Sequence, residues 1–148
     1  MLIREAAAED TPVLLRLLRQ IASSSNNIDY GADTSDEEML VIIQDCTTFV
    51  LQKGGGVVGL NAIQLVDLSG HPRSRYKKMA FIMAFGVDEI ERRQGFGTAL
   101  FEHMRHWLAE KEVDYLSLNV SFSNEAAQAF YRRMGLIERS LYMEQSLR

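Results

Sequence analysis

Phe85-Gly-Val-Asp-Glu-Ile-Glu-Arg-Arg-Gln-Gly-Phe-Gly-Thr-Ala-Leu100 is the stretch that decides how this chain folds. An apolar strand closes at Val87, a short charged turn follows, and Arg92-x-x-Gly95-x-Gly97 opens an amphipathic helix. Glycines at a helix start let backbone N–H groups approach an anion closely. The helix N-terminus adds a partial positive charge, and Arg92 and Arg93 add full ones. Those are the requirements of a pyrophosphate cradle. A plain strand-to-helix turn can also contain two glycines, so the rest of the chain has to decide. The turn is not a dinucleotide-binding fingerprint, which needs a third glycine where Leu100 stands, nor a phosphate loop, since no Lys-Ser or Lys-Thr pair follows Gly97. Both absences disfavour a generic nucleotide-binding domain.

On the N-terminal side, residues 2–6 read as a short strand. Asp10 or Thr11 can cap a helix with Pro12 in its first turn, and Leu14, Leu17, Leu18 and Ile21 give that helix one apolar face. Residues 23–27, Ser-Ser-Ser-Asn-Asn, break it. Ser35 or Asp36 caps a second short helix reaching about residue 44. Residues 47–52, the Gly54-Gly-Gly56 turn and residues 57–66 predict a hairpin. A loop with Gly70, His71 and Pro72 leads to a strand over residues 76–87. Its core, Ala80-Phe-Ile-Met-Ala-Phe85, is apolar without alternation, as in a central strand buried on both faces. Past the glycine turn, a helix reaches about residue 111 with Phe96, Leu100, Met104, Trp107 and Leu108 on one face. A strand over 113–120, a helix over 124–134 stopped by Gly135, and a final strand or short hairpin over 136–147 complete the order. The pattern β-α-α-β-β-β-α-β-α-β predicts a single domain over residues 1–148, a mixed sheet covered by helices.

Composition fits that reading. The chain has 148 residues, 47% of them hydrophobic and 24% charged, enough for one buried core. No apolar run approaches the roughly 18 residues of a membrane span, and the first residues lack the basic-then-apolar pattern of a secretory signal. The single Cys46 excludes an internal disulfide, so a cytoplasmic location is expected, and its apolar flanks make it core filler rather than a nucleophile. The net charge of −4 argues against nucleic-acid binding. Residues 29–38 hold five acids and no base. Most are read as a solvated loop and helix start, with a weaker lean toward an acceptor of positive charge. His103 and His106 lie on the long helix without Cys or acid at metal spacing, so no metal is expected.

A second cluster, Leu116-x-Leu118-x-Val120-x-x-x-Asn124-x-x-Ala127-x-x-Phe130-Tyr131-x-x-x-Gly135-Leu136, settles the question. With it the chain resembles the GNAT superfamily of N-acetyltransferases. Arg92-x-x-Gly95-x-Gly97 matches that family's Arg/Gln-x-x-Gly-x-Gly/Ala signature, with Val87 eight residues before Gly95 as is usual there. The second cluster matches its Asn-x-x-Ala-x-x-aromatic-Tyr-x-x-x-Gly signature. The detailed match covers about residues 79–136. The resemblance implies an α/β fold, a mostly antiparallel sheet with splayed parallel fourth and fifth strands and about four flanking helices. It also implies acetyl-CoA as cosubstrate, its pantetheine arm lying in the splay. The backbone of Phe85 and Val87 would bond that arm, and one N–H there would polarise the acetyl carbonyl. The amides of Arg92, Arg93, Gln94, Gly95, Phe96, Gly97 and Thr98 would hold the pyrophosphate. Asn124 would be a pantetheine ligand, against an equal reading as a simple helix cap. Tyr131 would also touch the cofactor and act as general acid toward the leaving thiolate.

The expected reaction is transfer of an acetyl group to a primary amine by direct attack in a ternary complex. A non-catalytic acyl-CoA-binding sensor is the alternative. An alkylamine has a pKa of about 10, so a proton acceptor is wanted. Many family members carry a Glu on the fourth strand, but residues 80–87 contain no acid. Asp88 and Glu89 read as turn residues, which leaves Asp29, Asp67 and His71, each more in keeping with an ordinary loop. The acceptor pocket is expected between residues 23–38, the 67–76 loop and the C-terminal strand. About a dozen residues follow Gly135, fewer than the family often uses for its last strands, so an exposed final strand would offer a homodimer edge.

Overall fold

The computed structural model describes residues 1–25 and 31–148. Among the described residues, five strands, β1 (Leu2–Glu5), β2 (Thr47–Lys53), β3 (Gly56–Asp67), β4 (Lys78–Val87) and β5 (Tyr115–Leu118), form one sheet in sequence order. The first three pairings are antiparallel and β4 pairs β5 in parallel. The helices are α1 (Thr11–Ser24), α2 (Asp36–Val41), α3 (Phe96–Glu110) and α4 (Glu125–Arg133). No helix among the described residues is long and apolar enough to cross a membrane.

The periodicity of α1 explains its placement. Leu14, Leu17, Leu18 and Ala22 fall on one face and are buried against Val50, Leu60, Ala62 and Ala84 of the sheet. The helix lies so close to β4 that a β-carbon on Gly86 would stand 2.7 Å from Ile21 Cγ1, so any larger residue there would force the Ile21 side chain to move. A reciprocal cap starts α2: Ser35 Oγ accepts from Glu38 N at 3.1 Å, and Glu38 Oε1 accepts from Ser35 N at 3.4 Å. On the opposite face Phe101, Met104 and Leu108 of α3 meet Phe49, Ile63, Ala80 and Ile82, with Phe130, Tyr131 and Met134 of α4 at the border. The half-buried Cys46 sits beside the first of these cores, its thiol pKa raised chiefly by burial, in keeping with core filler.

Three expectations change. The inner strand β4 is not closed on both faces: Ala80, Ile82 and Ala84 are buried, while Phe81 is half-buried and Met83 is 38% exposed. The second helix ends at Val41, since residues 42–45 continue only as turns. The predicted C-terminal strand or hairpin is absent. Leu136 is held by Tyr131 O at 3.0 Å, but residues 137–148 carry no strand because no chain lies alongside to complete their backbone hydrogen bonds.

Candidate active site

The β4–β5 ladder runs from Met79↔Tyr115 to Ile82↔Leu118 and then stops. The cause is visible on the other side of β4. Ile63 pairs Ile82 but Ala62 pairs Ala84, so Met83 is an extra residue, a bulge. A bulge bends its strand and increases its twist. From that point β4 runs on to Val87 while β5 has ended, and a gap opens between them. The N–H of Asp88 bonds Val58 O at 2.7 Å on the β3 side. Strand alternation therefore turns the N–H groups of Phe85 and Val87 the other way, toward the gap. Arg92 Nε donates to Val87 O at 3.2 Å from the same side.

The chain then makes a tight charged turn. Asp88 is buried, its carboxylate bonded to Arg16 of α1 and accepting from Ile90 N at 3.4 Å. The Arg16 guanidinium holds it below the usual carboxylate range. Its role is to fasten the turn, and a carboxylate so held is a poor proton acceptor. Glu89 N donates to Gln20 Oε1 at 3.3 Å, which also fits a turn. Arg93 and Gly95 both adopt positive φ, 67° and 82°. At Gly95 this left-handed residue is the N-cap of α3, and Phe96, Gly97 and Thr98 form the helix's first turn. The amides there have no intrahelical acceptor and face outward as an anion nest.

Lys53, at the tip of β2, reaches across to this turn. Its Nζ lies 2.8 Å from Glu91 Oε2, 3.3 Å from Gln94 Oε1 and 5.6 Å from the centre of the Phe96 ring. Gln94 Nε2 closes the triangle onto Glu91 at 3.1 Å. Nothing in the local sequence marks Lys53, which belongs to an ordinary hairpin turn and arrives only through the fold.

On the far side stands α4. Asn124 is its N-cap, Oδ1 accepting from Ala127 N at 3.2 Å. Among the described residues, the amide Nδ2 makes no hydrogen bond. Tyr131 lies seven residues on, its ring 6.1 Å from Phe85 and 5.4 Å from Phe130, centre to centre. Phe85 also meets Phe130 at 5.5 Å. A β-carbon built on Gly97 would lie 3.4 Å from the Phe130 ring and 3.9 Å from that of Phe85. One aromatic cluster thus ties the end of β4, the start of α3 and the body of α4 together. Burial pushes the Tyr131 phenol up to about 12, so it keeps its proton throughout the neutral range.

The candidate proton acceptors are not gathered there. Asp67 pairs Lys78 at the opposite end of β4 from Phe85, ~23 Å along an extended strand of seven residues. It binds Ser69 N at 2.9 Å as a loop residue. His71 is exposed in the same loop, and Asp29 lies outside the described residues.

A family model described as acetyltransferase (GNAT) family matches residues 14–136. The chain belongs to the GNAT acetyltransferase family. Solved structures share the GNAT fold over nearly the whole chain. A single-substitution variant of the BH1408 protein from Bacillus halodurans is 26% identical with a TM-score of 0.84, covering 99% of each chain. A ribosomal-protein-alanine N-acetyltransferase from Brucella melitensis biovar Abortus 2308 is 17% identical with a TM-score of 0.75, covering 99% of this chain and 100% of that one. A predicted acetyltransferase with acetyl-CoA from Clostridium acetobutylicum is 14% identical with a TM-score of 0.74, covering 99% and 96%. The last two establish the fold alone. No curated protein matches the sequence. Among the described residues of this GNAT domain, no group of three or more His, Cys, Asp or Glu could hold a metal ion.

Proposed function

We propose that this acetyltransferase moves an acetyl group from acetyl-CoA to a primary amine by direct attack in a ternary complex. The observation that carries the reading is the gap past Ile82 and Leu118, flanked by the anion nest of α3 and by Tyr131. Acetyl-CoA, when bound, supplies an acetyl group activated as a thioester. The residues fit it. A left-handed Gly95, unpaired helix amides and the cations of Arg92, Arg93 and Lys53 suit a diphosphate. Nδ2 of Asn124 suits an amide carbonyl of the pantetheine arm.

In this reading the outward N–H groups of Phe85 and Val87 bond the arm, and one of them polarises the carbonyl under attack. Tyr131 holds a proton on Oη and gives it, or donates a hydrogen bond, to the departing sulfur. No acid on β4 receives the amine's proton, and Asp88 is occupied by Arg16. The proton therefore leaves through solvent, or the amine arrives neutral. That same lack of an acid favours the second reading, an acyl-CoA-binding sensor.

Two measurements separate these. Acetyl-CoA at 100 times its Kd should raise Tm by about 5–10 °C, the ~2.7 kcal/mol of linkage spread over a domain of this size. No shift at millimolar ligand would remove the site. Release of CoA thiol across a panel of amines then distinguishes catalyst from sensor: binding without turnover on any amine favours the sensor.

A further inference from the structure

Beyond α1, one face of the sheet runs on. Ala62 of β3 and Ala84 of β4 lie under α1 in the first core. Strand alternation carries the same face of β3 to Gln64 and Val66, which pair Phe81 and Met79 of β4. Met83 stands beyond Phe81, at the bulge. Among the described residues, Met79, Phe81 and Met83 pack into neither core. Met79 and Phe81 are half-buried, and Met83 is 38% exposed. They floor a strip that starts at the gap between β4 and β5 and runs ~13 Å to Met79, four residues of extended strand.

The strip ends in a hollow of about 500 Å³, floored by Leu68, Tyr76, Met79 and Tyr115 and rimmed by Arg73, Arg75 and Arg139. No carboxylate lines it. Among the described residues, none of the three arginines makes an ion pair. The rim is tied down by its own backbone. Leu68 N donates to Lys77 O at 2.8 Å. Ser74 Oγ accepts from Tyr76 N at 3.1 Å and donates to Tyr76 O at 2.9 Å, which fixes the turn on which Arg73 and Arg75 flank Ser74. The Tyr76 and Tyr115 rings meet at 4.5 Å. In a chain of net charge −4, residues 71–78 hold four Arg or Lys and no acid. Guanidinium groups without a carboxylate, set over an apolar floor, suit an anionic group carried on a longer molecule.

The other end of the strip meets the gap, on the face of β4 opposite Phe130 and Tyr131. There β4 offers no acid to take a proton from an amine. A lysine side chain, with a pKa of about 10.4, needs such an acceptor, whereas a peptide α-amine, at about 7.7–8.0, is in good part neutral without one. We propose that the acceptor is the N-terminal amine of an acidic peptide. The amine lies at Met83, the chain extends along Phe81 and Met79, and a carboxylate at about the fifth or sixth position is held by Arg73 and Arg75. This inference rests on the acetyltransferase reading. The amine forms a C–N bond to the acetyl carbon as the C–S bond breaks, the sulfur leaves as CoA thiol, and the amine's surplus proton passes to solvent.

Three hexapeptides with free N-termini test it on the full chain. One carries glutamates at its fifth and sixth positions, one carries glutamines there, and one has the glutamates moved to its second and third positions. CoA thiol release should give the first a kcat/KM at least about tenfold above the other two, carried by KM. In the double variant Arg73→Gln, Arg75→Gln that preference should shrink to within about twofold. It should shrink likewise in the wild type when ionic strength rises from about 0.05 to about 0.5 M, a test that needs no variant. Equal rates on the three peptides, turnover confined to other amines, or a preference that survives both the variant and the salt would overturn this inference and leave acetyl transfer in place. A Tm rise with acetyl-CoA but no thiol release on any peptide or amine would overturn the acetyltransferase reading itself, and the acceptor with it.

Discussion

Tyr131 shows how one residue's surroundings set its use. Its phenol is packed among Phe85 and Phe130, and burial raises its pKa to about 12. A group so shifted remains a donor wherever the enzyme can work, and it does not ionise as pH rises from 6 to 10. If the proposed role holds, turnover in that range rises with the neutral fraction of the amine and shows no falling limb from Tyr131. Tyr131→Phe should lower kcat by about 100-fold, within the usual span for an acid catalyst, with little change in acetyl-CoA affinity. Equal kcat in the variant would remove Tyr131 from the acid role. A falling limb near pH 8–9 that vanishes in the variant would show that the phenol ionises far below 12. Asn124 teaches the complementary lesson. The sequence left its cap and ligand readings level, and the cap bond to Ala127 is made. That bond uses only the oxygen, so the second reading stays with the amide donors.

Among the elements, the turn into α3 carries most of the chemistry, and most of it was legible. Two glycines, two arginines and a following apolar period specify a strand, a nest and a helix by local rules alone. Gly95, with φ of 82°, sits in the left-handed region, which strains a residue that carries a β-carbon. Gly95→Ala should destabilise the fold by about 1 kcal/mol and raise the KM for acetyl-CoA, since the nest amides turn with the backbone. A thermal melt and a substrate titration check the two effects. An unchanged KM in a folded variant would mean that the nest is not the pyrophosphate site. What local rules could not supply is equally specific. The bulge at Met83 depends on the register of β3 against β4, and Lys53 reaches the nest from 38 residues before Glu91. The C-terminal strand was expected from its composition, but strand propensity measures fit to a neighbour, and the described chain provides none.

At the scale of the whole molecule, carboxylates hold the layers in place. Asp10 bonds Arg4 of β1 at 2.8 and 3.0 Å and accepts from Ala7 N at 2.7 Å, fixing the entry to α1. Asp88 joins the end of β4 to α1 through Arg16. Asp114 accepts from the backbone of Lys77 and Lys78 at 3.0–3.1 Å, setting the start of β5 beside that of β4. All three are held below the usual carboxylate range: Asp10 by the Arg4 bond, Asp88 by Arg16, Asp114 by the amides of Lys78 and Lys77. For Asp10 the value falls from 3.8 to about 2. A pKa lower in the folded state means that the unfolded chain takes up protons first as pH falls. The stabilisation is therefore complete above about pH 5 and is lost progressively toward pH 2. Tm followed by circular dichroism should be flat between pH 5 and 7 and fall steeply below 4. Asp10→Asn removes one titrating group, so it should lower Tm at pH 7 and reduce the slope below pH 4. An Asp10→Asn protein that matches the wild type at pH 7 and keeps the full acid slope would mean that the Arg4 pair contributes nothing to holding β1 and α1 together.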